Sequence, residues 1–151
     1  MKTISDIILV GRGNSLRADD GVGEYVCFIL KNKYPLINTL IVHQLDITML
    51  NELNQFSSVI FIDASIQTSQ VTFDRISEHT SGPSFSHHVN ANMIAELNKQ
   101  LYDSNTEFYL CSVGADDFNF STHISNNTKL NGDKAIELIN EWIIKHFNSA
   151  E

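Results

Sequence analysis

A run of four apolar residues that stops at a glycine has few places in a fold where it can sit. Ile7-Ile8-Leu9-Val10 leads straight into Gly11-Arg12-Gly13-Asn14, and after a short loop come two adjacent carboxylates, Asp19-Asp20. An apolar stretch bounded by glycine reads as a buried strand. Beyond it, Val22, Val26, Ile29 and Leu30 recur at the spacing of one helical stripe. Carboxylates at the start of that helix and Lys31 and Lys33 at its end suit the helix dipole, and Tyr34-Pro35 closes it. The Asp19-Asp20 pair is therefore expected just past the carboxyl end of a central strand. Open parallel sheets place their ligands at that edge.

The alternation continues along the chain. Residues 39–42 and 108–113 read as short buried strands, and 58–62 as a third, stopped by Asp63-Ala64. Residues 70–77 alternate weakly, as an edge strand does. Helical spacing covers 48–56 (Met49, Leu50 and Leu53 inward), 92–102 and 133–148, while 81–86 form a turn-rich loop leading to His87-His88. Residues 118–129 are polar and irregular. Strands and helices in this order predict an α/β fold, a three-layer αβα sandwich around a mostly parallel twisted sheet of about five strands. One domain spanning 1–151 is expected.

Ten basic against eighteen acidic residues give a net charge of −8, which argues against a nucleic-acid partner. No apolar run reaches the roughly eighteen residues a membrane span needs. The first residues look like a first strand rather than a signal peptide. Cys27 and Cys111 lie within apolar patterns, as buried free thiols in a reducing compartment do, so a cytoplasmic location is expected.

The glycine turn first suggests a nucleotide, but Leu16 breaks the G-x-G-x-x-G pattern at its third glycine and no Walker motif exists. A tight exit from a central strand also favours glycine for structural reasons. A second signal is stronger. Asp20 follows the first strand, Asp63 ends the third, and His87 precedes a later helix. In a flavodoxin-like strand order, 2-1-3-4-5, the first and third strands are neighbours at the switch point, and Asp20 and Asp63 converge there with His87 available to close the site. Two carboxylates and an imidazole suit zinc, nickel or iron with one position open. Each residue has a plainer alternative: Asp20 as a helix cap, Asp63 as a strand-end turn, His87-His88 as a solvated pair. Asp116-Asp117 could line the same crevice, although loop solvation explains them as well. His43, His79, His123 and His146 read as surface or packing residues. There is no G-x-S-x-G elbow and no H-E-x-x-H helix, so neither an activated serine nor a zincin site is indicated.

Gly11-Arg12-Gly13-Asn14, Leu16 and Asp19-Asp20-Gly21-Val22-Gly23 together resemble the opening motif of the nickel–iron hydrogenase maturation endopeptidases. The resemblance continues through Val59-Ile60-Phe61-Ile62-Asp63-Ala64, Ser86-His87 and Ser112-Val113-Gly114. It implies an αβα sandwich whose metal ligands, carried over position by position, fall on Asp20, Asp63 and His87, with His88 as the alternative histidine. It implies an enzyme that removes a C-terminal extension from the large-subunit precursor of a hydrogenase, recognising nickel already held by that substrate. Another divalent ion such as zinc or cadmium is expected to fit the same site. A monomer is expected, with no nucleic-acid or membrane partner. The mechanism implied is a water route: the metal polarises the scissile carbonyl, and Asp19 or a released carboxylate acts as general base. His43-Gln44-Leu45-Asp46 stands where many members carry an Asp-Gly-Gly-Thr-like segment, and resembles the subgroup serving cytoplasmic bidirectional hydrogenases. A non-hydrolytic metal- or partner-binding module on the same fold is the alternative.

Overall fold

A computed structural model describes residues 2–77, 90–102 and 104–147. The strands are β1 (Ile7–Arg12), β2 (Asn38–Val42), β3 (Ser58–Ser65), β4 (Val71–Arg75) and β5 (Glu107–Gly114). The helices are α1 (Val22–Lys33), α2 (Leu50–Leu53), α3 (Ala91–Leu101) and α4 (Asn126–His146). The sheet order is β2-β1-β3-β5-β4. β1 pairs in parallel with β2 and β3, β3 with β5 likewise, and β4 joins β5 antiparallel as the edge.

Strand geometry decides where each apolar side chain goes, because successive residues point to opposite faces. Ile7 and Leu9 join Ile60, Ile62, Cys111 and Val113 in a core closed by Val22, Val26 and Leu30 of α1 and Ala135, Ile139 and Ile143 of α4. Ile8 and Val10 face the other way, with Val59, Phe61 and Phe108, against Leu50 and Leu53 of α2 and Ala91 and Ile94 of α3. Both faces of the sheet are thus covered, which is why the central strands β1 and β3 are apolar runs rather than alternating, while the edge strands β2 and β4 alternate. The expected αβα sandwich is the observed one. Trp142 of α4 seals the edge, packing edge-on against Tyr109 at 4.9 Å and against Phe73 at 6.1 Å between ring centroids.

Four expectations need correction. In place of 2-1-3-4-5 the sheet runs 2-1-3-5-4, because the edge strand β4 folds back antiparallel beyond β5. The third strand does not stop at Asp63-Ala64 but continues to Ser65, since β5 offers it partners as far as Gly114. The helix expected over 48–56 is a 3-10 turn (Ile47–Met49) followed by the single turn of α2. The stretch expected to be irregular, 118–129, already contains the start of α4 at Asn126, where the Ser125 hydroxyl caps the Thr128 amide. No described helix is long and apolar enough to cross a membrane.

Candidate active site

The carboxyl ends of β1 and β3 lie side by side, with Arg12 directly opposite Asp63 in the register. Past its last residue, β1 gives way to a tight return. Gly13 has φ 145°, a left-handed conformation, and a Cβ there would lie 2.0 Å from the Asp20 carbonyl oxygen. Only glycine fits. The chain then passes through Ala18, itself left-handed at φ 49°, into a 3-10 turn (Ala18–Gly21) that hands over to α1. Gly23 lets that first helical turn rest on the strand ends, since a Cβ there would meet the Ile62 carbonyl oxygen at 2.7 Å.

Asp20 is part-buried, and its Oδ2 accepts the Asn14 amide at 2.8 Å. It therefore closes the glycine turn rather than capping α1. Asp63, with 26% of its side chain exposed, accepts a hydrogen bond from Arg12 Nη1 at 2.8 Å, also an ion pair. Burial pushes the Asp63 carboxyl up, Arg12 pulls it down, and the nearby charge of Asp20 pushes it up again, so that it stands above the ordinary carboxylate value. A carboxylate whose proton affinity is raised by a neighbouring carboxylate also favours a cation beside it, and oxygen donors of this kind suit a divalent metal. Asp20 lies near enough to Asp63 for its charge to act on that carboxyl. His87 and His88, like His79, lie outside the described residues. Among the described residues no three His, Cys, Asp or Glu side chains form a group able to hold a metal. His43, His123 and His146 are exposed, as expected.

Asp19 corrects the sequence reading most. It is fully buried. Its Oδ1 accepts the Ser125 amide at 2.6 Å, and its Oδ2 accepts the Ser125 hydroxyl at 2.8 Å, the Thr128 hydroxyl at 2.7 Å, and the Asp116 and Asp117 amides at 3.0 and 2.9 Å. Burial pushes this carboxyl up, but the bonds from Thr128, Ser125, Asp116 and Asp117 outweigh it and hold it down at about 2. A carboxylate so placed makes a poor proton acceptor. It is a fastener. The loop after β1 is further sewn to the loop after β5: the Ala18 amide donates to the Ser121 carbonyl at 2.7 Å, and the Ser121 amide to the Leu16 carbonyl at 3.0 Å. Asp116 and Asp117 thus serve this crevice wall through their backbone amides.

Sequence reasoning missed Ser125, Thr128 and the Arg12–Asp63 pair. A Ser-x-x-Thr ahead of an amphipathic run was the available signal for a helix start at Ser125. Nothing local pointed to the ion pair, whose members are 51 residues apart. A separate cavity of about 700 Å³, lined by Arg75, Asn98, Tyr102 and Glu107 among others, opens at the amino end of β5, the opposite edge of the sheet. The crevice chemistry does not reside there.

No protein-family model matches the chain, and no curated protein matches it either. Solved structures do. The hydrogenase maturating endopeptidase HybD of E. coli superposes with a TM-score of 0.75 at 15% identity, over 96% of this chain and 93% of that one. The [NiFe] hydrogenase maturation protease HycI of Thermococcus kodakarensis gives 0.68 at 22% identity, over 93% and 92%. HybD of the same archaeon gives 0.63 at 19%, over 94% and 99%. At such identities the likeness establishes a common fold over nearly the whole chain.

Proposed function

We propose that this chain is an endopeptidase of nickel–iron hydrogenase maturation, which removes a C-terminal extension from the nickel-loaded large-subunit precursor. The observation that supports this reading is the closeness of Asp20, in the turn that follows β1, to Asp63 near the end of the adjacent β3, where its charge acts on the Asp63 carboxyl. It occurs in a fold shared with solved proteases of that pathway. The resemblance of the glycine and carboxylate motifs points the same way.

Asp20 and Asp63 would hold the metal, with His87 as the third ligand. When bound, a divalent ion at that position polarises a carbonyl and acidifies a water. The chain's own contribution is placement. The Asn14 amide fixes the Asp20 carboxylate, and Arg12 fixes that of Asp63. Asp19 ties the crevice wall to α4, so the two ligands are set on a frame rather than on free loops. Nickel belongs to the substrate, and zinc or cadmium is expected to occupy the same ligands. The enzyme works as a monomer in the cytoplasm, and the stretch from His43 to Asp46 suits a bidirectional hydrogenase as its client.

The test is mass spectrometry of a nickel-loaded precursor incubated with the purified chain. Loss of the C-terminal peptide is expected, with Asp20→Asn and Asp63→Asn slowed by at least about a hundredfold while still melting cooperatively. A precursor that binds but keeps its tail would assign the chain to the non-hydrolytic alternative. Full activity in both variants would sink the site.

A further inference from the structure

Arg12 is at odds with a site designed to take up a free metal ion. Its Nη1 already holds Asp63 Oδ2 at 2.8 Å. The two residues are register partners on adjacent strands, so the sheet fixes their backbones side by side and the ion pair holds the guanidinium at Asp63. A fixed positive charge within about 4 Å of a dication weakens its binding by more than about tenfold, even at the dielectric constant of water. A metal that arrives within a protein differs, because its own anionic ligands offset its charge. Arg12 suits such a centre: its buried Nε–H has no acceptor among the described residues, and one of those ligands would supply one.

We propose that Arg12 is a specificity-determining residue that screens Asp63 from free divalent cations. The Asp20–Asp63 pair then engages a metal presented on a protein substrate. The inference rests on reading this crevice as a metal-engaging site.

Calorimetric titration of the purified chain with cadmium chloride tests it, with no turnover needed. Arg12→Met is expected to bind cadmium at least about tenfold more tightly than the wild type, and Arg12→Lys, which keeps the charge, to stay near the wild type. Arg12→Gln replaces Arg12→Met if the latter does not melt cooperatively. Unchanged or weaker binding in the neutral variant, or no binding in any variant, overturns the role of Arg12. Two further variants, Asp20→Asn and Asp63→Asn in the Arg12→Met background, separate the two readings. Tightened binding that survives loss of both carboxylates overturns the crevice assignment itself. Binding that needs both carboxylates but does not tighten without Arg12 overturns the Arg12 inference and leaves the crevice standing.

Discussion

Replacing Asp19 by Asn keeps its shape and removes its charge. In the native protein the carboxylate receives five hydrogen bonds, from the Ser125 amide and hydroxyl, the Thr128 hydroxyl and the Asp116 and Asp117 amides. Asn turns one acceptor oxygen into a donor that faces other donors, leaving buried N–H or O–H groups without a partner. Each such orphan costs about 1–3 kcal/mol, and the effects overlap, so a total loss of about 3–5 kcal/mol is expected. The pH dependence carries an independent figure. Holding the carboxyl at about 2 rather than 3.8 corresponds to about 2.4 kcal/mol of stability. Because the native value is the lower one, that stability is fully present above the unfolded value of 3.8 and is lost as pH falls toward 2. Urea unfolding followed by far-UV circular dichroism, at a series of pH values from neutral to about 2, measures both. The wild type is expected to lose about 2 kcal/mol more than Asp19→Asn between about pH 5 and pH 2, where the native carboxyl is half protonated. Parallel stability curves for the two proteins, or a neutral-pH cost below about 1 kcal/mol, would refute the fastener role.

Two more substitutions or probes bear on the crevice and the core. Gly13→Ala forces a Cβ toward the Asp20 carbonyl oxygen from a φ of 145°, so it is expected to destabilise the fold by about 2 kcal/mol or more and to lower cadmium affinity. Differential scanning calorimetry and titration read the two effects, and a melt equal to that of the wild type would contradict the turn geometry. Cys27 and Cys111 are both pushed up to about 12, chiefly by burial, with Glu24 adding to the first and Asp74 to the second. Neither thiol should react with a chromogenic disulfide at pH about 8 in the native protein, and both should react promptly in denaturant. Fast labelling of the folded chain would show that the sheet–α1 interface is open.

Much of the frame could be read along the chain. Four apolar residues ending at Gly11, and the matching run from Val59 to Ile62, called for strands covered on both sides, and they are. That the carboxyl ends of β1 and β3 share one edge followed from the parallel topology, because all parallel strands end on the same side. Segment ends were less legible. β3 gained residues from its neighbour β5, and α4 gained its first turn from a Ser125 cap that Asp19 holds in place. Local propensity contains neither contribution.

The sequence by itself determined the alternation of strands and helices, the burial of both sheet faces and the pairing of carboxylates with a glycine turn. These depend on periods of a few residues and on hydrophobicity, which any short window carries. Tertiary structure decided what each charge does. Asp19 and Asp20 are adjacent in the chain, yet one is a saturated internal anchor and the other stands beside Asp63, because the turn between β1 and α1 sends their side chains to different partners. Arg12 became the counter-ion of Asp63 only when the register of β1 and β3 set them opposite each other. A carboxylate's role is set by the donors and charges around it, and residues far away in the chain supply them.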